Sequence, residues 1–153
     1  MRILEIEKYF QQDDTLNKVL EALSEDIDKI DYWAGLMKQG ITVNPEEAKN
    51  ALNDLTGRFM SLKTALSIAE TEKKNRETRA YNQIKIDTEN EGKKFVSASA
   101  EKEASGRVAD YRRIRNIIQA YVDSCEKALS TLQSLLKYMG EEIKLQGYNK
   151  GEK

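Results

Sequence analysis

Two groups of basic side chains are the parts of this sequence best suited to chemistry. Lys73, Lys74, Arg76 and Arg79 form the first, inside the segment Glu70–Arg79, and Arg112, Arg113 and Arg115 form the second. Both residue types hold phosphate, lysine as a mobile point charge and arginine as a planar fork of donors. Glu70, Glu72 and Glu77 dilute the first group, and the ordinary account of such a cluster is a solvated helix face laced with intrahelical ion pairs. Position favours more than that. Lys73 and Arg76 continue the register of an apolar seam, and Arg115 falls on another between Tyr111 and Ile118. A helix whose inward positions become cationic has either left its bundle or needs an anion to face, because an unpaired buried charge is costly. Repeated around an oligomer, these cations would make a continuous phosphate-binding surface.

No catalytic constellation accompanies them. The chain has no His and a single Cys, which removes the commonest general base and any Cys/His metal cluster. Asp26, Asp28 and Asp31 are the nearest candidates for acid/base or metal work. Residues two apart on a helix point about 200° around its axis, so a solvated face is the better account. There is no glycine-rich phosphate loop and no Ser/His pair. The reading is a protein that is not an enzyme and needs no cofactor. Cys125 lies on an apolar register and reads as a small buried hydrophobe.

The charges nearly cancel, 25 basic against 26 acidic, so no global field steers the chain to a polyanion and binding must come from a local patch. One thiol makes no intrachain disulfide and fits a reducing cytoplasm. Met1-Arg2-Ile3 leads straight to Glu5 without an apolar signal core. No apolar run approaches the ~18 residues of a membrane span. A soluble cytoplasmic protein with no membrane partner is expected.

The elements that must position the cations are helices. Ile3, Ile6 and Phe10 share one face of a short first helix, and Asp13, Asp14 or Thr15 can cap a second. Leu16, Leu20, Leu23, Ile27, Ile30, Ala34 and Met37 then repeat a four-and-three spacing as far as Gly40. Tyr32-Trp33 reads as packing at the edge of that face, with base stacking as the alternative. After a linker at Ile41–Val43, Asn44-Pro45-Glu46-Glu47 is the clearest helix start in the chain, with an N-cap, Pro at the first helical position and an acid at N3. Ala48, Leu52, Leu55, Phe59, Leu62, Leu66 and Ala69 continue from there. Periodicity fades from Tyr81 to Gly92, with a bend expected between Asp87 and Lys94.

The last helix carries the longest seam. Tyr111, Ile118, Cys125, Leu132 and Met139 stand seven apart, with Val122, Leu129, Leu136 and Ile143 on the register four residues on. Ile114, Tyr121, Ala128 and Leu135 widen the stripe beyond what a two-helix seam needs. Ser97 or Ser99 can open it and Gly147 can close it. The fold expected is all-α: an elongated helical bundle with two long helices, about 45–86 and 100–146, forming a coiled-coil-like oligomer. It would be one domain over 1–153, with N-terminal helices to 40, a middle helix over 44–90 and an oligomerisation helix over 97–147. Ile118, Val122, Cys125, Leu129, Leu132, Leu136 and Met139 are the residues expected to join the copies.

The final helix also contains Asp123-Ser124-Cys125-Glu126-Lys127-Ala128-Leu129-Ser130-Thr131-Leu132-Gln133-Ser134. This stretch resembles the C-terminal region of the UvsY-like recombination mediators of T4-type bacteriophages. Ser99-Ala100-Glu101-Lys102-Glu103 looks like the opening of that region, and Arg76-Glu77-Thr78-Arg79-Ala80-Tyr81 is similar to the family's DNA-contacting stretch. The resemblance implies a helical, ring-forming protein of the bacterial cytoplasm, in a phage-infected or lysogenic host. Such a protein binds single-stranded DNA and helps load a RecA-type recombinase onto strands covered by single-strand-binding protein. It further implies Arg76 and Arg79, with Lys73 and Lys74, as phosphate contacts, and Val122, Cys125, Leu129, Leu132 and Leu136 as assembly contacts. The competing expectation is a non-enzymatic helical interaction or inhibitory protein, phage-encoded, that captures a host protein through its apolar stripe.

Overall fold

The computed structural model describes residues 3–10, 14–39 and 44–150. Every regular element among them is an α-helix: α1 Ile3–Tyr9, α2 Thr15–Lys38, α3 Pro45–Asn90, α4 Ser97–Arg107 and α5 Ala109–Lys150. The all-α class with two long helices is therefore what the chain adopts. The expected Asp13 cap, the stop at Gly40 and the linker at Ile41–Val43 lie outside the described residues.

Local chemistry sets the ends of α3. Asn44 Oδ1 accepts the backbone N–H of Glu47 at 2.9 Å, and the Asn44 carbonyl accepts Ala48 N at 2.9 Å, so the capping residue works as its type predicts. At the far end Gly92 has φ +65°. Gly92 N bonds to the Glu89 carbonyl at 3.0 Å and Lys93 N to Thr88 at 3.1 Å. This paired closure needs a residue free to adopt left-handed backbone, which glycine does without steric cost. Helix α3 runs on through the stretch after Tyr81 where the apolar register fades: Gln83 at the next seam position is exposed, and Ile84 beside it is buried.

The last helix differs from expectation at both ends. One residue, Val108, leaves helical geometry at φ −107°, ψ 23° and separates α4 from α5. Its carbonyl still accepts Arg112 N at 3.0 Å, while the Arg112 guanidinium reaches back to the carbonyl and hydroxyl oxygens of Ser105. Gly106 and the β-branched Val108 are weak helix formers. The apolar spacing of Ala104, Val108 and Tyr111 passes straight through the break, which hides it from periodicity. At the C-terminal end α5 passes Gly147 and reaches Lys150.

The chain forms two compact units: Met1–Leu23 with Lys63–Gln119, and Ser24–Leu62 with Ala120–Lys153. Helices α2, α3 and α5 each contribute to both, so neither unit is a contiguous stretch. In the first unit Ile6, Phe10, Val19, Leu23, Leu66, Ala69, Ile114 and Ile118 are buried. Val19 and the buried Thr15 lie off the predicted α2 seam. A smaller cluster of Ile84, Ala100 and Ala104, packed by Ala80, Tyr81 and Phe95, ties α4 to α3. In the second unit Ile30, Ala48, Ala51, Leu55, Leu62, Val122, Cys125 and Leu132 are buried.

Candidate functional site

Within the first unit, α3 and α5 bring parts of the two basic groups to one place. Lys73 and Lys74 from α3 and Arg112 and Arg115 from α5 line a cleft of about 490 Å³, together with Glu70, Glu77 and Asn116. The four cations outnumber the two carboxylates. No aromatic ring lines it, so the cleft can grip phosphate but offers no platform on which a base could stack.

The cations are not equally available. Arg115 gives Nε and Nη2 to one Glu70 oxygen at 3.1 and 2.8 Å, and Lys73 Nζ lies 3.5 Å from Glu77 Oε2. Arg112 is half-buried on Ser105. Lys74 is exposed and makes no hydrogen bond or ion pair among the described residues. Register along the chain sets Arg115 on the apolar seam. The buried file of α5 is instead Ile114, Ile118, Val122 and Cys125, which turns Arg115 out to meet Glu70.

Arg76 and Arg79 lie outside the cleft lining. Arg76 Nη2 donates to the Phe10 carbonyl at 2.7 Å, its guanidinium stands over the Tyr111 ring, and Glu72 is 3.8 Å away. Its buried Nε has no hydrogen-bond partner. The inward cation thus faces an anion, Glu72 of its own helix, together with a carbonyl and a ring face. Arg79 and Arg113 are exposed and unbonded among the described residues.

In the second unit, Arg58 of α3 binds Asp26 Oδ1 at 2.8 Å and Asp54 Oδ1 at 3.1 Å, with Glu25 at 3.6 Å. Trp33 Nε1 donates to Asp54 Oδ2 at 3.0 Å. Burial pulls the Asp54 carboxyl up, but the Trp33 and Arg58 hydrogen bonds outweigh it and hold the group below its ordinary value. Asp26 is therefore a partner of Arg58 and not part of a solvated acidic face. Asp31 accepts the Tyr121 hydroxyl at 3.1 Å, and burial, then that bond, raise the tyrosine. Among the described residues no group of three acids or thiols could hold a metal ion, and no helix is long and apolar enough to cross a membrane.

The residues expected to join copies divide into two sets. Ile118, Val122, Cys125 and Leu132 are at most 1% exposed within a single chain, so their apolar area is already covered. Leu129, Leu136 and Met139 are half-buried, and Tyr138, Ile143 and Leu145 farther along α5 are exposed. Burial pushes the Cys125 thiol up to about 11, with the Asp26 charge adding to it. An open groove of about 610 Å³ runs between α2, α3 and α5, with Ile30, Trp33, Met37 and Leu55 among its lining.

Asn116 and Ser105 were invisible as site residues. An amide and a hydroxyl gain meaning only once a fold sets cations around them. No family model, curated protein or solved structure matches this chain.

Proposed function

We propose that this protein binds single-stranded DNA without catalysing a reaction, gripping the phosphate backbone in the α3/α5 cleft. The observation that carries this reading is the convergence of Lys73, Lys74, Arg112 and Arg115 on one cleft from segments some forty residues apart in sequence. A flexible single strand can bend successive phosphates into a short cleft, where a stiff duplex cannot. The resemblance of the α5 segment to phage recombination mediators extends the reading: the bound strand would be handed to a RecA-type recombinase in place of single-strand-binding protein. A homo-oligomer, joined through Leu136, Met139 and the exposed end of α5, would multiply a weak cleft into a strong binder. On this reading the protein works in the cytoplasm of a phage-infected or lysogenic bacterium.

Anisotropy of a labelled single-stranded oligonucleotide tests it at low and moderate salt. Wild type should bind, and Lys73→Ala with Lys74→Ala and Arg115→Ala should bind far more weakly at unchanged helicity. Equal affinity of the two would remove the cleft from consideration.

The apolar groove of the second unit and the exposed Tyr138, Ile143 and Leu145 favour a second reading, a helical factor that captures another protein. Co-purification from the native host separates the two. Recombinase and single-strand-binding protein support the first, and an unrelated host protein bound without nucleic acid supports the second.

A further inference from the structure

Half of the cleft's positive charge is already answered from within. Glu70 holds Arg115 through two donors and Glu77 sits against Lys73. All four side chains line the cleft, and each is between 30% and 49% exposed, so both pairs are half-solvated and can open. Ion pairs of this kind are weak, because solvent screens them and ordering two long side chains costs entropy. The non-bridging oxygens of a phosphodiester can take the same two guanidinium donors that Arg115 here gives to one Glu70 oxygen.

From these contacts we infer that Glu70 and Glu77 are built-in competitors for the ligand, which make the cleft selective for anions of several charges. The inference rests on the anion-binding reading above and names the residues that tune it. A small anion that displaces one carboxylate gains one contact and then faces that freed negative charge. A chain of phosphates reaches Lys74 and Arg112 as well, and gains enough contacts to displace both carboxylates. The cleft thereby ignores monovalent anions and accepts a phosphate backbone.

The variant Glu70→Gln/Glu77→Gln keeps side-chain shape and some hydrogen bonding while removing both charges. It should bind a single-stranded oligonucleotide roughly three- to tenfold more tightly than wild type, the factor expected for releasing two half-exposed pairs. It should also let inorganic phosphate displace the oligonucleotide at concentrations that leave the wild-type complex intact. Glu91→Gln/Glu103→Gln changes net charge equally at exposed acids paired with Lys93 and Arg107, outside the cleft lining. An equal gain from that control would reduce the effect to general electrostatics and overturn the inference, as would no gain from the cleft variant. A thermal-shift titration with pyrophosphate reads the cleft without DNA. If neither protein binds the oligonucleotide, but pyrophosphate raises the melting temperature of the cleft variant more than that of wild type, the DNA reading falls and the competitor role stands. Equal pyrophosphate shifts overturn it.

Discussion

The guanidinium carbon of Arg76 lies 4.5 Å from the centre of the Tyr111 ring, joining the middle of α3 to the start of α5. The same ring stands 6.1 Å from Phe10, whose carbonyl Arg76 also binds. One arginine thus links three segments of the first unit by a charged hydrogen bond and a cation–π contact. It serves the architecture, while of the cleft cations Lys74 is exposed and Lys73, Arg112 and Arg115 are half-buried.

Replacing Arg76 by Ala should destabilise the first unit by about 2 kcal/mol, the sum of a partly exposed cation–π contact and a charge-assisted hydrogen bond, each discounted for solvent. Arg76→Lys should cost about half as much, since an ammonium keeps the charge but loses the flat stack. Urea midpoints measure both. Oligonucleotide affinity per folded molecule should not change; a normal midpoint with weakened binding would return Arg76 to the binding surface.

Lys74→Ala should act in the opposite way. The side chain is exposed with no bonded partner among the described residues, so stability should stay within about 0.5 kcal/mol of wild type. The slope of log affinity against log salt for a single strand should fall by about 0.7, the value of one phosphate contact. An unaltered slope would show that Lys74 touches no phosphate.

Asp54 ties the single tryptophan to Arg58, which gives the second unit its own reporter. Because the folded carboxyl sits below its ordinary value of 3.8, its charge contributes stability at neutral pH. That contribution is present above the unfolded value and lost as pH falls through the lower folded one. Trp33 fluorescence should therefore change on acidification below about pH 4, and Asp54→Asn should flatten that change. Arg58→Ala should cost about 2 kcal/mol, less than a fully buried pair because Asp54 is one-third exposed.

Cys125 should resist thiol reagents in the folded protein and react once urea unfolds it. Its side chain is fully buried and its thiol is raised to about 11. Since the folded value lies above the unfolded one, the stability linked to it is complete below about pH 9 and declines as pH rises toward 11. Cys125→Ser should cost about 1–3 kcal/mol by placing a hydroxyl among apolar side chains. Rapid labelling of the native protein would mean that α5 leaves its seat.

Helix type, the Asn44-Pro45 start of α3 and most of its buried face were readable from the chain because each depends on neighbours within a turn or a few turns. Capping is a contact three residues long, and an apolar seam repeats inside one element. The same locality explains the failures. Continuous spacing concealed the break at Val108, and register alone set Arg115 inward, although the rotation of α5 is chosen by what packs against it. Whether an apolar stripe faces a second copy or its own chain is likewise a question about distant segments. Here Ile118, Val122, Cys125 and Leu132 are covered within one chain. The meeting of Lys73 and Lys74 with Arg112 and Arg115, and the answering of two of them by Glu70 and Glu77, belong wholly to tertiary structure. Charges forty residues apart have no energy of interaction until folding brings them within a few ångströms, so no reading of spacing along the chain could find that cleft.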